Sequence, residues 1–246
     1  MTAALEIVHL HKSFGGLPAT HDICLEVAPG ERRLIIGPNG AGKTTLFNQI
    51  TGDLRPDSGI IRAFGEDITR LRPDQRAQRG IARTYQIITL FNHDSLQHNV
   101  LLALMGLTRQ RWNTLSSLRG FAGFYEEARA VLARVNLEHL AERRIAEISY
   151  GEKRRAEIAM ALAQKPKILL LDEPLAGLSR EERAGVRALI AAIPREVTVV
   201  MIEHDMDTAL ELAERVTVLH YGKLIVDGTR AEVVSDARTR EVYLGH

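Results

Sequence analysis

The residues Gly37-Pro38-Asn39-Gly40-Ala41-Gly42-Lys43-Thr44 have the spacing G-x-x-x-x-G-K-[ST]. In that pattern glycines let backbone N–H groups close around phosphate oxygens. Lys43 then reaches the β- and γ-phosphates of a nucleotide, and Thr44 offers its hydroxyl to Mg²⁺. A helix that starts here aims its positive end at the same phosphates. From average residue usage, four fixed positions recur by chance in such a chain on the order of once in 100. We take Gly37 to Thr44, with Thr45 directly after them, as nucleotide-binding residues.

A second constellation lies far along the chain. In Ile168-Leu169-Leu170-Leu171-Asp172-Glu173-Pro174 an apolar strand delivers two carboxylates at its C-terminal edge, where open parallel sheets hold their ligands. Burial of either acid without a partner is costly. Mg²⁺ is such a partner for Asp172, while Glu173 is placed to orient or deprotonate an attacking water. His204 follows another buried strand in Ile202-Glu203-His204-Asp205, so a γ-phosphate contact is open to it. Gln86 ends a strand at Ile81 to Tyr85 and can bridge Mg²⁺ or water.

The elements that must position these residues read as follows. Strands are predicted at Leu5 to Leu10, Ile23 to Val27 and Arg33 to Ile36, with a helix over Lys43 to Ile50. Gly59 to Phe64 and Ile81 to Tyr85 read as strands, with a Pro-initiated helix over Pro73 to Arg79 between them. From about Leu90 to Gln164 helical periodicity dominates, as in Leu96 to Leu107 and Phe124 to Val135. Strands then alternate with helices: Lys167 to Asp172, Arg180 to Ile193, Val197 to Glu203, Met206 to Glu214, Arg215 to His220 and Lys223 to Val226. The apolar runs Ile168 to Leu171 and Val197 to Ile202 are those of parallel strands covered on both faces. The expectation is a single α/β domain over 1–246, with a β-rich core at 1–87 and 165–246 and an inserted helical subdomain at 88–164.

Composition narrows the partners. Of 246 residues 45% are hydrophobic, enough for one sizeable core. Lys plus Arg number 32 against 31 Asp plus Glu, and a net charge of +1 supplies no broad cationic field for nucleic acid. The arginines at 70, 72, 76, 79 and 83 read as a solvated face. The single cysteine, Cys24, sits in apolar-polar alternation and is expected to be a small buried thiol, compatible with a reducing cytoplasm. No signal-peptide pattern opens the chain and no run of about 18 apolar residues occurs, so no membrane span is expected.

Between the two constellations lies Ile148-Ser149-Tyr150-Gly151-Glu152. Ser149-x-x-Glu152 fits a helix capping box, and a capped helix start is itself an anion site. The run also resembles the L-S-G-G-Q signature of ABC ATPases, with Ile148, Tyr150 and Glu152 at the exchanged positions. The match runs almost end to end and is nearest the first of the two ATPase subunits of branched-chain amino acid importers. Ser13-Phe14-Gly15-Gly16-Leu17, Arg83-Thr84-Tyr85-Gln86, Tyr150-Gly151-Glu152-Lys153-Arg154-Arg155, Glu203-His204-Asp205-Met206 and Val242-Tyr243-Leu244-Gly245 carry that likeness.

The resemblance implies a P-loop NTPase core with an antiparallel β subdomain and an inserted helical signature subdomain. It implies an ATPase using ATP and Mg²⁺, with two chains packed head to tail and Ser149, Gly151 and Glu152 facing the partner's γ-phosphate. Phe14 would stack on adenine, Gln86 would lie in the loop coupling nucleotide state to membrane subunits, and His204 would be the switch histidine. The implied partners are a second ATPase subunit, identical or different, integral membrane permease subunits and, indirectly, a periplasmic or extracellular substrate-binding protein. The implied location is peripheral, on the cytoplasmic face of the cell membrane. Ser179, after Ala176-Gly177-Leu178, departs from the family pattern, in which many relatives have Asp. A soluble ABC protein without a membrane partner would carry two joined ATPase units or long coiled coils, and a P-loop kinase or GTPase would leave Ser149 to Glu152 without a role.

Overall fold

The computed structural model describes residues 2–108, 110, 122–203 and 210–244. The chain divides into two units, one of residues 1–83, 167–174 and 193–246 and one of residues 84–166 and 175–192.

In the first unit, three strands are buried along their whole length: β3 (Arg32–Ile36), β7 (Ile168–Asp172) and β8 (Thr198–Ile202). Covered on both faces, they take central places in the sheet, and β3 buries Arg32 and Arg33 ahead of its apolar Leu34, Ile35 and Ile36. That sheet has the order β10-β9-β3-β8-β7-β6, with β10 (Lys223–Thr229) antiparallel to β9 (Arg215–His220) at one edge and β6 (Ile81–Thr84) at the other. Asp172 pairs in register with Ile202, and Ile202 with Ile35. The chain therefore leaves β3, β7 and β8 at one common edge.

A second sheet, antiparallel, has the order β2-β1-β4-β5, formed by β1 (Leu5–Phe14), β2 (Leu17–Val27), β4 (Ser58–Ala63) and β5 (Glu66–Asp67). β1 and β2 run further toward each other than the sequence pattern predicts. Their ends meet at Phe14 and Leu17 across Gly15 and Gly16, whose φ of 53° and 90° suit a tight hairpin turn. The polar residues from His11 to Ser13 hid the extension, because they lie on an edge ribbon with bulges and lack clean alternation. Helix α1 (Lys43–Thr51) contributes Leu46, Phe47 and Ile50 to a core shared with Leu5, Ile7 and Ile61 of this sheet and Ile35, Leu170 and Val200 of the parallel one.

The arginine run is not a solvated face throughout. Arg76, on α2 (Pro73–Gln78), is 1% exposed and donates to Gln49 O (2.6 Å), Ile50 O (2.8 Å), Thr69 O (2.9 Å) and Leu71 O (3.0 Å). It thus satisfies carbonyls near the end of α1 that no helical N–H can reach, with its charge at the negative helix end. Burial pushes its guanidinium down to about 10, so it stays protonated at neutral pH. Cys24 also departs from expectation: its strand position turns the thiol to the exposed face.

The second unit is helical, built on α3 (Leu96–Gly106), α4 (Ala122–Arg134), α5 (Tyr150–Ala163) and α6 (Arg180–Ala191). Its core joins Val100, Leu101 and Leu104 with Val131, Leu132, Ile145, Ala156 and Ala159. The small Ala156 and Ala159 allow close approach to α5. Two short helices, α7 (Arg230–Ser235) and α8 (Ala237–Leu244), follow β10 and were not foreseen from the sequence. Thr229 caps α7 through a box with Glu232, the available signal for it. Of the helix expected over Met206 to Glu214, residues 206–209 lie outside the described residues, and 211–214 are turn and irregular chain rather than helix.

Arg76→Leu is expected to destabilise the protein by about 3 kcal/mol or more, because four carbonyls lose their donor at a buried position. Urea unfolding followed by circular dichroism measures this. Arg76→Lys should recover less than half, since one ammonium cannot span that fork.

Candidate functional site

Gly37 continues directly from β3, and Gly42 is the residue before α1, with φ 100°. A Cβ on Gly42 would lie 2.1 Å from Ala19 O, so both the backbone conformation and the neighbouring strand demand glycine there. The Lys43 ammonium lies inside the loop, donating to Gly37 O (2.6 Å) and Pro38 O (3.1 Å). Burial lowers its pKa, and the nearby charges of Glu173 and then Asp172 oppose that shift. The phosphate loop and the acidic pair are thus electrostatically joined at one sheet edge. Thr44, in the first turn of α1, is exposed.

Asp172 ends β7 at 1% exposure. Its Oδ2 accepts from Arg83 Nη2 at 2.7 Å. Its Oδ1 is buried and has no hydrogen-bond partner among the described residues. A buried carboxylate oxygen left in that state fits a cation ligand, and the hard oxygen donors of Asp172 and Thr44 suit Mg²⁺. Arg83 is held in turn by Asn48 Oδ1 (2.6 Å), by Asp53 Oδ2 (3.6 Å) and over the Phe47 ring (5.5 Å to the centroid). The sequence reading left Arg83 in the surface run. Its place on β6, beside β7 in the folded sheet, is what brings it to Asp172.

Glu173 is 7% exposed and has φ 47°, an uncommon left-handed conformation for a side chain of this size. Its N–H donates to Ile202 O (2.9 Å), which anchors the turn to β8. Glu203, after β8, is buried at 4% exposure and was given no role from sequence. His204 lies outside the described residues. Phe14, at the tip of β1, is 51% exposed with Lys12 Nζ 5.7 Å from its ring centroid.

In the helical unit Ser149 caps α5: its N–H donates to Glu152 Oε2 (2.7 Å) and its Oγ accepts from Glu152 N–H (3.2 Å). The Gly151 N–H donates to Glu182 Oε1 at 3.0 Å. Glu182 belongs to a second capping box with Ser179, the residue departing from the family pattern. N–H donation from Ser179, then its hydroxyl, then the Gly151 N–H hold the Glu182 carboxyl below its ordinary range. A carboxylate therefore already occupies an anion-binding donor at the α5 start.

Gln86 is exposed, and its backbone is fastened to α5. Arg154, 0% exposed, donates to Tyr85 O (2.8 Å), Gln86 O (3.1 Å) and Glu157 Oε2 (2.7 Å). Tyr85 N–H donates to Glu157 Oε1 (3.3 Å). Burial raises the Glu157 pKa, with Arg154 opposing it. This buried pair, unassigned from sequence, ties the Gln86 segment to the helix that Ser149 caps.

Residues 20–176 match the family model described as ABC transporter. The chain belongs to the ABC transporter family. It is 37% identical over 252 residues to the high-affinity branched-chain amino acid transport ATP-binding protein BraF of Pseudomonas aeruginosa, covering 98% of this chain and 97% of that protein. Among solved structures it is similar to the ADP conformation of an ATP-binding cassette of an ABC transporter, with 30% identity, TM-score 0.84 and full coverage of both chains. A dimeric post-hydrolysis cassette bound to ADP and phosphate is 25% identical, with TM-score 0.79, covering 92% of this chain and 98% of that one. The chain is accordingly a nucleotide-binding, ATP-hydrolysing subunit of a transporter. No helix among the described residues is long and apolar enough to cross a membrane.

The Arg83–Asp172 pair provides a test of the site's electrostatics. Arg83→Met is expected to cost about 3 kcal/mol, since it leaves Asp172 charged and buried without that cation. Arg83→Met combined with Asp172→Leu should recover most of the loss in urea unfolding. Additive losses would show that the pair is not coupled.

Proposed function

We propose that this cassette energises import of branched-chain or other amino acids, or related small amides, from the cytoplasmic face of the membrane. The carrying observation is the convergence of Lys43, Asp172 and Glu173 at one sheet edge, with Lys43 feeling the charge of both acids. The transport class rests on the likeness to the BraF protein over nearly the whole chain.

In this reading the backbone N–H groups from Gly37 to Gly42 and the Lys43 ammonium hold the β- and γ-phosphates, and Thr45 lies beside them in the first turn of α1. Phe14 offers its exposed ring to adenine. Mg²⁺ held by Thr44, Asp172 and Gln86 would neutralise charge between the phosphates. Glu173 orients the attacking water and accepts its proton, and His204 is assigned to the γ-phosphate. Attack by water breaks the bond between the β–γ bridging oxygen and the γ-phosphorus, leaving ADP and phosphate.

A second ATPase chain, identical or different, would complete each site with its own Ser149, Gly151 and Glu152. ATP-dependent closure is driven by those contacts to the γ-phosphate, the differential interaction that a ligand-driven switch requires. The helical region 88–164 passes the motion to permease subunits through the Gln86 segment. A substrate-binding protein outside the membrane delivers the cargo.

Glu173→Gln should bind Mg-ATP and hydrolyse it at least about 100-fold more slowly, the usual scale for a lost general base. Light scattering on that variant is expected to show the molar mass double when Mg-ATP is added. Near wild-type turnover would remove Glu173 from its role. A nucleotide-bound monomer would make a different ATPase chain the natural partner.

Glu182 supplies a sharper test of the signature assignment. Its carboxylate already occupies the Gly151 N–H that an incoming phosphate would need. Glutamine can preserve the capping box without the charge. Glu182→Gln, added to Glu173→Gln, should therefore dimerise with Mg-ATP at lower protein concentration, and an unchanged or weaker dimer would argue against Gly151 as a phosphate donor.

A further inference from the structure

Away from the phosphate loop, β1 and β2 expose a group of side chains that ATP chemistry does not use. His9 and His11 lie on β1, and His21, Asp22 and Cys24 on β2. The ladder pairs Ile7 with Leu25, Leu10 with Ile23 and Lys12 with Thr20. The first interval holds one extra residue on β1 and the second one extra on β2, so two opposed bulges flank the Leu10–Ile23 pair. His9 and Asp22, within those intervals, have φ of 48° and 57°. That left-handed conformation is uncommon outside glycine, although His and Asp adopt it more readily than most residues.

The bulges gather three kinds of donor. His9 Nδ1 lies 2.7 Å from Asp22 Oδ1 and 3.6 Å from Cys24 Sγ. The ligand atoms of His9, Asp22 and Cys24 all fall within 4.8 Å of one another. A tetrahedral zinc with bonds of about 2.0–2.3 Å needs ligand atoms roughly 3.3–3.8 Å apart. The His9–Cys24 distance is already there, and the His9–Asp22 separation of 2.7 Å, now that of a direct contact, would open on binding.

Surrounding contacts favour the same use. His9 N–H donates to Cys24 Sγ at 3.3 Å, a contact that suits a metal-bound thiolate. His11 Nδ1 accepts from the Asp22 N–H (3.3 Å), and its Nε2 lies 3.7 Å from Asp22 Oδ1, so His11 is fastened to the Asp22 backbone with its ring near the carboxylate. The His21 ring packs edge-on against His11 with centroids 5.3 Å apart. An exposed ion pair alone would need neither the thiol nor the second bulge.

We propose that His9 Nδ1, an Asp22 carboxylate oxygen and Cys24 Sγ form a binding site for a borderline-soft divalent cation, Zn²⁺ in chemical class, with water in the fourth position. Imidazole and thiolate select against Mg²⁺, so this site is distinct from the nucleotide's metal. An ion here would join β1 to β2 within the hairpin whose tip carries Phe14.

Cobalt(II) titration of the nucleotide-free full chain tests this directly, because Cys24 is its single cysteine and any thiolate-to-cobalt charge-transfer band must come from it. The expected result is a near-ultraviolet band saturating at one equivalent, with tetrahedral visible bands, both abolished by zinc. Cys24→Ser should abolish the charge-transfer band, and His9→Ala and Asp22→Asn should each weaken binding at least about tenfold, with circular dichroism confirming the fold. Absence of the band in the wild-type chain would overturn the proposal. So would a band indifferent to both His9→Ala and Asp22→Asn, since it would mark a thiol binding metal by itself.

Discussion

Two carboxylates buried side by side at the end of a strand would repel each other and lose hydration unless cations stood close to both. Asp172 and Glu173 are 1% and 7% exposed, and much of the first unit serves that requirement. Arg83 reaches Asp172 from the neighbouring strand β6, while Lys43 approaches from the phosphate loop. Neither cation would be in place without the strand order that sets β3, β8, β7 and β6 next to one another. That order in turn depends on apolar runs that tolerate no exposed face. A charge arrangement suited to phosphoryl transfer is therefore maintained by the packing of Val, Leu and Ile.

The helical unit solves a different problem with similar means. A helix start exposes N–H groups that must be satisfied or used. At α5 they are shared between the protein's own groups: Ser149 and Glu152 cap each other, and Glu182 takes the Gly151 N–H. Further along the same helix, Arg154 and Glu157 are buried as a pair and also hydrogen-bond to the backbone of Tyr85 and Gln86. Removal of either partner would leave an uncompensated buried charge, so the connection between the two segments depends on both.

How much of this was legible in the sequence depends on the range of the interaction concerned. The phosphate loop and the central strands follow from local spacing and apolar runs, because glycine geometry and complete burial leave few alternatives. Ser149-x-x-Glu152 was readable as a cap for the same reason. Arg76 and Arg83 were not, since a guanidinium looks alike in a sequence whether it faces water or four carbonyls. The partners that bury them come from α1, β7 and the loop before α2, tens of residues away for α1 and β7. Cys24 failed on a subtler point. Alternation was recognised correctly, but the phase that turns Ile23 and Leu25 inward necessarily turns Cys24 outward.

The departures from the family signature form one local set. Tyr150 stands where the pattern has glycine, and its ring edge lies at ordinary contact distance from the Gly177 position, where a φ of 73° is what favours glycine. Glu152 replaces glutamine, yet a carboxylate closes the capping box as well. Ser179 replaces aspartate, and both side chains are good N-caps; with serine there, Glu182 completes the box and still reaches Gly151. A Cβ on Gly151 would sit 2.6 Å from the Glu182 side chain, so a larger residue there would displace that carboxylate from the Gly151 N–H. Ser179 and the start of α5 are thus linked through one acidic side chain, Glu182, which serves two capped helix starts.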